Sequence, residues 1–213
     1  MGAVRKPNHD AKLDALERIL VAAELGFAEK GFDGLGMKAL AASAGVSQSL
    51  LHYHFGSKDR LYAAVIEHRS SLINQERQKL LQAIEPTAAD RLAQVFRALF
   101  LPALGPSGGG RAYARIFAGL IVGNARDEIL VRKNYDDTAR LFVAAIHDCF
   151  PNSTVTQAAQ IYLAALGVLT AALPRDGRAG RLAGGEHLEN NQDEFVESLI
   201  RFAVGGAVAI QNG

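Results

Sequence analysis

Between Gly36 and Phe55 the chain sets two short helical segments, 37–43 and 48–54, on either side of the turn Ala44-Gly45-Val46. Helices this short are marginal in isolation, so their apolar positions must be buried against a neighbouring helix. Leu40, Ala41, Val46 and Leu51 supply a small apolar core, Ala44 permits close packing, and Gly45 turns through a conformation that a Cβ opposes. Ser47 is a natural N-cap for the second segment. The spacing is that of a helix-turn-helix.

The rest of the sequence extends this all-α reading. Alanine and leucine together number 62 against 24 for valine and isoleucine, a bias toward unbranched helix formers that disfavours a large sheet. Leu13, Leu16, Leu20, Ala23 and Phe27 recur at helical spacing over residues 12–30, and Gly31 closes that helix. Ser57 caps a helix that can run to Glu85, about 42 Å at 1.5 Å per residue. Further helices are expected over 87–104, 111–122, 127–150, 154–173 and 193–211, nine in all. The glycine-rich stretch 105–110 reads as a flexible surface linker, and 174–191 shows no period. A domain boundary is expected after Gly56, giving a 1–56 unit with a flexible N-terminal arm and a helical 57–213 unit.

Composition excludes several classes. The 23 Lys and Arg against 22 Asp and Glu leave +1, so charge-driven binding must be local. Cys149, the single cysteine, rules out an intramolecular disulfide and fits a reducing cytoplasm. No metal or other cofactor is indicated, because His52 and His54 stand two apart on a helix and point to different sides. His147 and Cys149 share that spacing, which argues against a nucleophile and base. No convergent set of titratable groups suggests an enzyme. The apolar run from Ile161 to Leu173 is too short to span a bilayer and reads as a buried helix, so no membrane partner is expected.

On the second short helix, Gln48, Ser49, His52 and Tyr53 fall on the outer face, a set suited to base edges and phosphates in a major groove. The residues Ile19-Leu20, Ala22-Ala23, Phe27 to Phe32, Leu40-Ala41, Ala44 to Ser47, Leu51, His54-Phe55, Ser57-Lys58 and Leu61 together resemble the tetracycline-repressor (TetR) family of one-component transcriptional regulators. The resemblance implies that Gln48, Ser49, Leu50, His52 and Tyr53 face DNA, beside the capping Ser47, with Lys58 and Lys38 touching phosphate. Gly36 stands where the family often has a threonine cap, and His52 where a tyrosine usually contacts the backbone. His52 can still donate a hydrogen bond, and Leu50 can meet a thymine methyl. Basic residues nearby, with Arg5 and Lys6 in the N-terminal arm, neutralise few phosphates per subunit, which favours a homodimer on a pseudo-palindromic operator.

The later helices are read more coarsely. Small residues at Ala158, Ala159, Ala164, Ala165 and Gly167, and at Ala203, Gly205, Gly206 and Ala207, let helices approach closely, either within the chain or between two copies. Leu166, Leu169 and Leu173 with Phe195, Leu199 and Phe202 are the expected isologous dimer interface. Polar residues in apolar surroundings, Arg97, Tyr113, Arg115, Asn124, His147 and Tyr162, are the candidate pocket groups for an uncharged or partly aromatic effector. The expected function is ligand-responsive regulation, with repression as its sign. The alternative is an architectural or division-related DNA-binding protein of the same fold without an effector.

Overall fold

The computed structural model describes residues 9–173, 177–184 and 192–212. Among them the regular elements are all helical: α1 (His9–Gly34), α2 (Met37–Ser43), α3 (Gln48–Phe55), α4 (Lys58–Gln82), α5 (Arg91–Leu104), a 3₁₀ turn (Pro106–Gly108), α6 (Gly110–Ile121), α7 (Ala125–Cys149), α8 (Val155–Ala172), α9 (Arg178–Leu182) and α10 (Gln192–Asn212). The tenth helix, α9, lies in the stretch expected to lack a period; five residues are too few to display one. The arm with Arg5 and Lys6, and residues 174–176 and 185–191, lie outside the described residues.

The chain forms two compact units that divide between His68 and Arg69, inside α4 rather than at the Gly56 turn. The reason is visible in the first unit's core, where Leu61, Tyr62, Val65 and Ile66 of α4 are buried as completely as Leu40, Leu51 and Phe55. Rings of Phe27 and Tyr62 meet edge to face at 5.0 Å, and Phe32 joins Tyr62 at 5.3 Å. On α1 the buried row is Ala15, Ile19, Ala23 and Phe27, while Leu16 and Leu20 are only half-buried. The expected stripe was therefore rotated slightly; Leu13 lies outside the described side chains. Gly31 interrupts α1 with φ 70°, at the place where the helix was expected to stop.

The second unit packs α5, α7, α8 and α10 around Phe96, Leu99, Phe100, Phe142, Ile146, Ile161 and Leu169. Two reciprocal capping boxes start its helices: Asn124 with Asp127 for α7, and Thr154 with Gln157 for α8. The apolar run from Ile161 to Leu173, expected as a buried helix, is buried along one side only. Its 18 residues have mean hydropathy 1.4, and by length and composition the helix could cross a membrane, yet only 28% of it is buried. Ala158, Ile161, Tyr162, Ala165 and Leu169 turn inward, whereas Leu163, Ala164 and Gly167 face out.

The 105–110 stretch is also not the expected surface linker. It folds into the 3₁₀ turn, and Gly108 is buried against α5. A Cβ at Gly108 would stand 1.9 Å from the Ala103 carbonyl oxygen, so only glycine permits this approach. Arg69 Nη1 donates to the Ser107 carbonyl at 3.2 Å and holds the turn from α4. Gly108→Ala is accordingly expected to cost about 1–3 kcal/mol through forced overpacking, measured as a lower midpoint in urea denaturation.

Candidate nucleic-acid interface and interior cavity

The turn between α2 and α3 is built from main-chain bonds that leave one side of α3 bare. Gly45 takes φ 64°, its N–H donates to Ala42 at 3.2 Å, and that of Val46 donates to Ala41 at 3.0 Å. Ser47 is extended, and its Oγ accepts from the Leu50 N–H at 3.1 Å, capping α3. That leaves the Ser47 hydroxyl proton for an outside acceptor. Leu51 and Phe55 face inward, while Gln48, Ser49, His52 and Tyr53 are exposed and Leu50 is half-buried. Tyr53 is 75% exposed and rests its ring against His54 at 5.2 Å.

Two of the expected contacts have internal partners. His52 Nδ1 lies 3.0 Å from the Gly56 carbonyl oxygen. A carbonyl only accepts, so Nδ1 carries the proton, and in the neutral ring Nε2 presents a lone pair outward. Lys58 Nζ donates to the Phe32 carbonyl at 2.8 Å and sits 4.4 Å from the centre of the Phe32 ring. The ammonium is thus fixed by the end of α1, and its two other protons are what a phosphate could meet. Lys38 is exposed on the first turn of α2. Among the described residues no group of three or more metal-binding side chains occurs. His54 is half-buried, between the Tyr53 and Phe55 rings.

A separate small cavity, with room for about one water molecule, lies wholly within the second unit. Ile73, Arg77, Tyr113, Phe117, Tyr135 and Leu173 are among its walls, together with Gly108 of the 3₁₀ turn. The Tyr113 and Tyr135 hydroxyls hydrogen-bond each other, and the Phe117 ring meets Tyr135 edge to face at 5.4 Å. Burial pushes Tyr135 up to about 12, partly opposed by the bond from Tyr113 and by the charge of Arg77.

Of the six expected pocket groups, Tyr113 alone lines this cavity. Tyr162 is buried in α8, close enough to feel the Arg77 charge, and burial raises its hydroxyl. The other four are occupied elsewhere or exposed. Arg97 forms a forked ion pair with Glu197 at 2.6 and 2.7 Å, tying α5 to α10. Asn124 caps α7, Arg115 is exposed, and His147 Nε2 donates to the Ser153 carbonyl at 3.1 Å. Arg77 and Tyr135 were missed, although a signal existed: Arg77 continues the buried row Ile66, Ser70, Ile73 at helical spacing. Cys149 donates to the Ala145 carbonyl at 3.3 Å, and burial raises its thiol, which suits a structural role rather than a nucleophile.

The expected interface residues divide between the chain's own core and its surface. Leu169 is fully buried in the chain's own core, and Leu166, Leu173 and Leu199 pack against that core. Phe195 is half-buried, and Phe202 is 69% exposed. The inward face was chosen because leucine marked it, whereas the outward face carries smaller residues.

Comparison with known proteins decides the family. The description "Bacterial regulatory proteins, tetR family" matches residues 19–65, and "Tetracyclin repressor-like, C-terminal domain" matches residues 93–206. The chain belongs to the TetR family of transcriptional regulators. It is similar to the HTH-type transcriptional activator FasR of Mycolicibacterium smegmatis, 36% identical over 80 residues that cover 37% of this chain and 36% of FasR. It is also similar to the HTH-type transcriptional regulatory protein RaaS of Mycobacterium tuberculosis, 39% identical over 77 residues, 36% of each chain. These matches thus span about a third of the curated relatives' length. The fold resembles that of the transcriptional regulator FadR from Bacillus subtilis in complex with stearoyl-CoA, with TM-score 0.67 and 15% identity over 89% of this chain and 98% of that one. The family and these curated relatives are transcriptional regulators rather than enzymes.

Within such a helix-turn-helix, substitutions at exposed and capping positions separate binding from folding. Tyr53→Ala is expected to weaken duplex affinity while leaving the melting temperature unchanged, because the ring is largely exposed. Ser47→Ala is expected to cost about 1 kcal/mol of stability through the lost cap as well as affinity. Fluorescence anisotropy with duplex DNA and thermal denaturation read the two effects independently.

Proposed function

We propose that the protein is a ligand-responsive repressor acting in the cytoplasm, which binds a pseudo-palindromic operator as a homodimer and changes its DNA affinity when a small molecule occupies the second unit. The observation that carries the reading is the capped α3, whose inner residues are consumed by the core while Gln48, Ser49, His52 and Tyr53 stand exposed in the region matched to the regulator family. Lys38 and the fixed ammonium of Lys58 flank this face and supply phosphate contacts, with Ser47 and Leu50 beside them. DNA reading belongs to residues 1–56, and effector binding and dimerisation to 57–213.

The dimer reading rests on an outward surface of α8 and α10. Ala158, Ala165, Ala203 and Ala207 are buried within the chain, so close helix packing inside the subunit is real. Gly167, Gly205 and Gly206 are not used that way, since a Cβ at any of them would meet nothing within 4 Å. A glycine inside a helix costs roughly 1 kcal/mol relative to alanine, and nothing within the subunit offsets it. With Leu163 at 63% and Phe202 at 69% exposure, these glycines form an apolar, smooth face suited to a two-fold partner. This face replaces the leucine row expected from the sequence.

The effector reading rests on the match to the regulator family's C-terminal domain over residues 93–206 and on the small cavity between α4, α5, α6 and α7, whose wall is apolar with a few convergent polar groups. A ligand acts by favouring one arrangement of the two α3 helices over another. α4, which supplies side chains to both cores, is the element that transmits the choice.

Selection of bound genomic fragments tests the operator: a two-fold symmetric sequence is expected, and recovery of no preferred fragment at low salt would overturn the reading. Phe202→Glu is expected to yield a folded monomer by sedimentation, with operator affinity reduced at least tenfold. An unchanged dimer would place the interface elsewhere.

A further inference from the structure

The inner cavity holds about one water, so an organic molecule needs another seat in the second unit. Where the end of α4 passes α5 and α7, a larger space is present: a cleft of about 260 Å³, open to solvent and on the order of twenty times what a single water requires. Its origin lies in the sequence of α7. Leu141, Ala144, Ala145 and Asp148 share one face at spacings of three and four, and the two alanines stand where the cleft's other walls carry Leu81 and Ile84. Small side chains leave the gap, and two polar ties set the spacing of its walls. Gln78 Nε2 donates to Thr138 Oγ1 at 2.9 Å, joining α4 to α7, and Arg91 Nη2 donates to Asp148 Oδ2 at 3.1 Å, joining α5 to α7.

The lining describes what fits. Val95 is buried, whereas Leu141 stays 46% exposed, apolar surface that an occupant would withdraw from water. Arg91 and Asp148 are the charged groups among the described residues that line the cleft, and they pair with each other. An anion on Arg91 or a cation on Asp148 would exchange one partly exposed ion pair for another, which gains little. Uncharged hydrogen-bonding groups do find partners. The Gln78 amide gives an N–H to Thr138 and keeps its carbonyl oxygen, and Gln82 is exposed with a whole amide.

We infer that this cleft seats the effector, and that the effector is a small uncharged organic molecule, its apolar body against Leu81, Ile84, Val95 and Leu141 and its hydroxyl or amide on Gln78 and Gln82. The inference rests on the effector reading above. It keeps the uncharged effector expected from the sequence but seats it on other residues. Because α4 supplies Gln78, Leu81 and Gln82, the occupant touches the helix whose earlier turns build the first core.

The test is a methyl-labelled NMR titration of the full chain with benzyl alcohol and hexanamide, each against its charged counterparts, benzoate and benzylammonium or hexanoate and hexylammonium, at matched ionic strength. At least one neutral compound is expected to shift the methyl resonances of Leu81, Ile84, Val95 and Leu141 saturably, and its charged counterparts to need about tenfold more, a difference of about 1.4 kcal/mol. No saturable shift at these methyls, or an equal response to neutral and charged compounds, would overturn the proposal. Ala144→Phe, at an exposed position of the cleft, is expected to abolish the shifts with the melting temperature unchanged. Shifts that persist in that variant at the same midpoint would overturn the site. Should the variant fail to fold, the wild-type titrations still decide. Duplex affinity measured in the same samples separates the two readings. Cleft binding without any duplex affinity would reject the regulator and leave the ligand site, whereas duplex affinity without methyl shifts would reject the ligand site alone.

Discussion

Helix α4 has to satisfy two cores with one continuous run of 25 residues. Its early turns give Leu61, Tyr62, Val65 and Ile66 to the first core, and its later turns give Ile73 and Arg77 to the second. A helix places residues three and four apart on one side, so these demands bind every position between them to a single register. Slipping α4 by one residue would turn apolar side chains to water in both units at once. The small first unit depends on this borrowed surface, because α2 and α3 together bury too little to be stable alone.

Two cations on α4 show how burial decides the use of a charge. Lys58 and Arg77 each donate to a main-chain carbonyl, of Phe32 and of Leu99. Lys58 is half-buried over an aromatic ring and still reaches solvent, where an external phosphate is one more partner among several. Arg77 is enclosed, and a carbonyl dipole alone does not balance a full charge in a medium of low polarity. A positive charge thus stands at the solvent edge in one place and is held by a main-chain carbonyl inside the core in the other.

The first unit was legible from sequence because its determinants are local. Gly45, Ser47 and the apolar pair Leu40 and Leu51 lie within a dozen residues, and each acts through a turn, a cap or the next helix. The boundaries of α2 agree with the spacing, and α8 is capped by Thr154, where the expected range 154–173 begins. The cavity was not legible in the same way, since its walls come from four helices, a turn and Leu173 just after α8, far apart in the chain. Arginine at position 77 reads as a solvated residue between Glu76 and Lys79; its position on the buried row outweighs its type. The outward side of α8 and α10 was only partly marked in the sequence, where Ala164, Gly167 and Phe202 were named but Leu163 was not. Gly108 was taken as slack in a linker, but it is the tightest contact of its turn.

The glycines on the outer side of α8 and α10 have one more consequence. They weaken the helices of a solitary subunit, and on the dimer reading the lost cohesion returns only when a second copy covers them. Folding and assembly would then be one linked equilibrium, in which resistance to heat rises with the amount of protein present. Copy number would become a physical variable of the regulator: dilution would loosen two of the helices that build the second unit's core, before any operator or small molecule enters the balance.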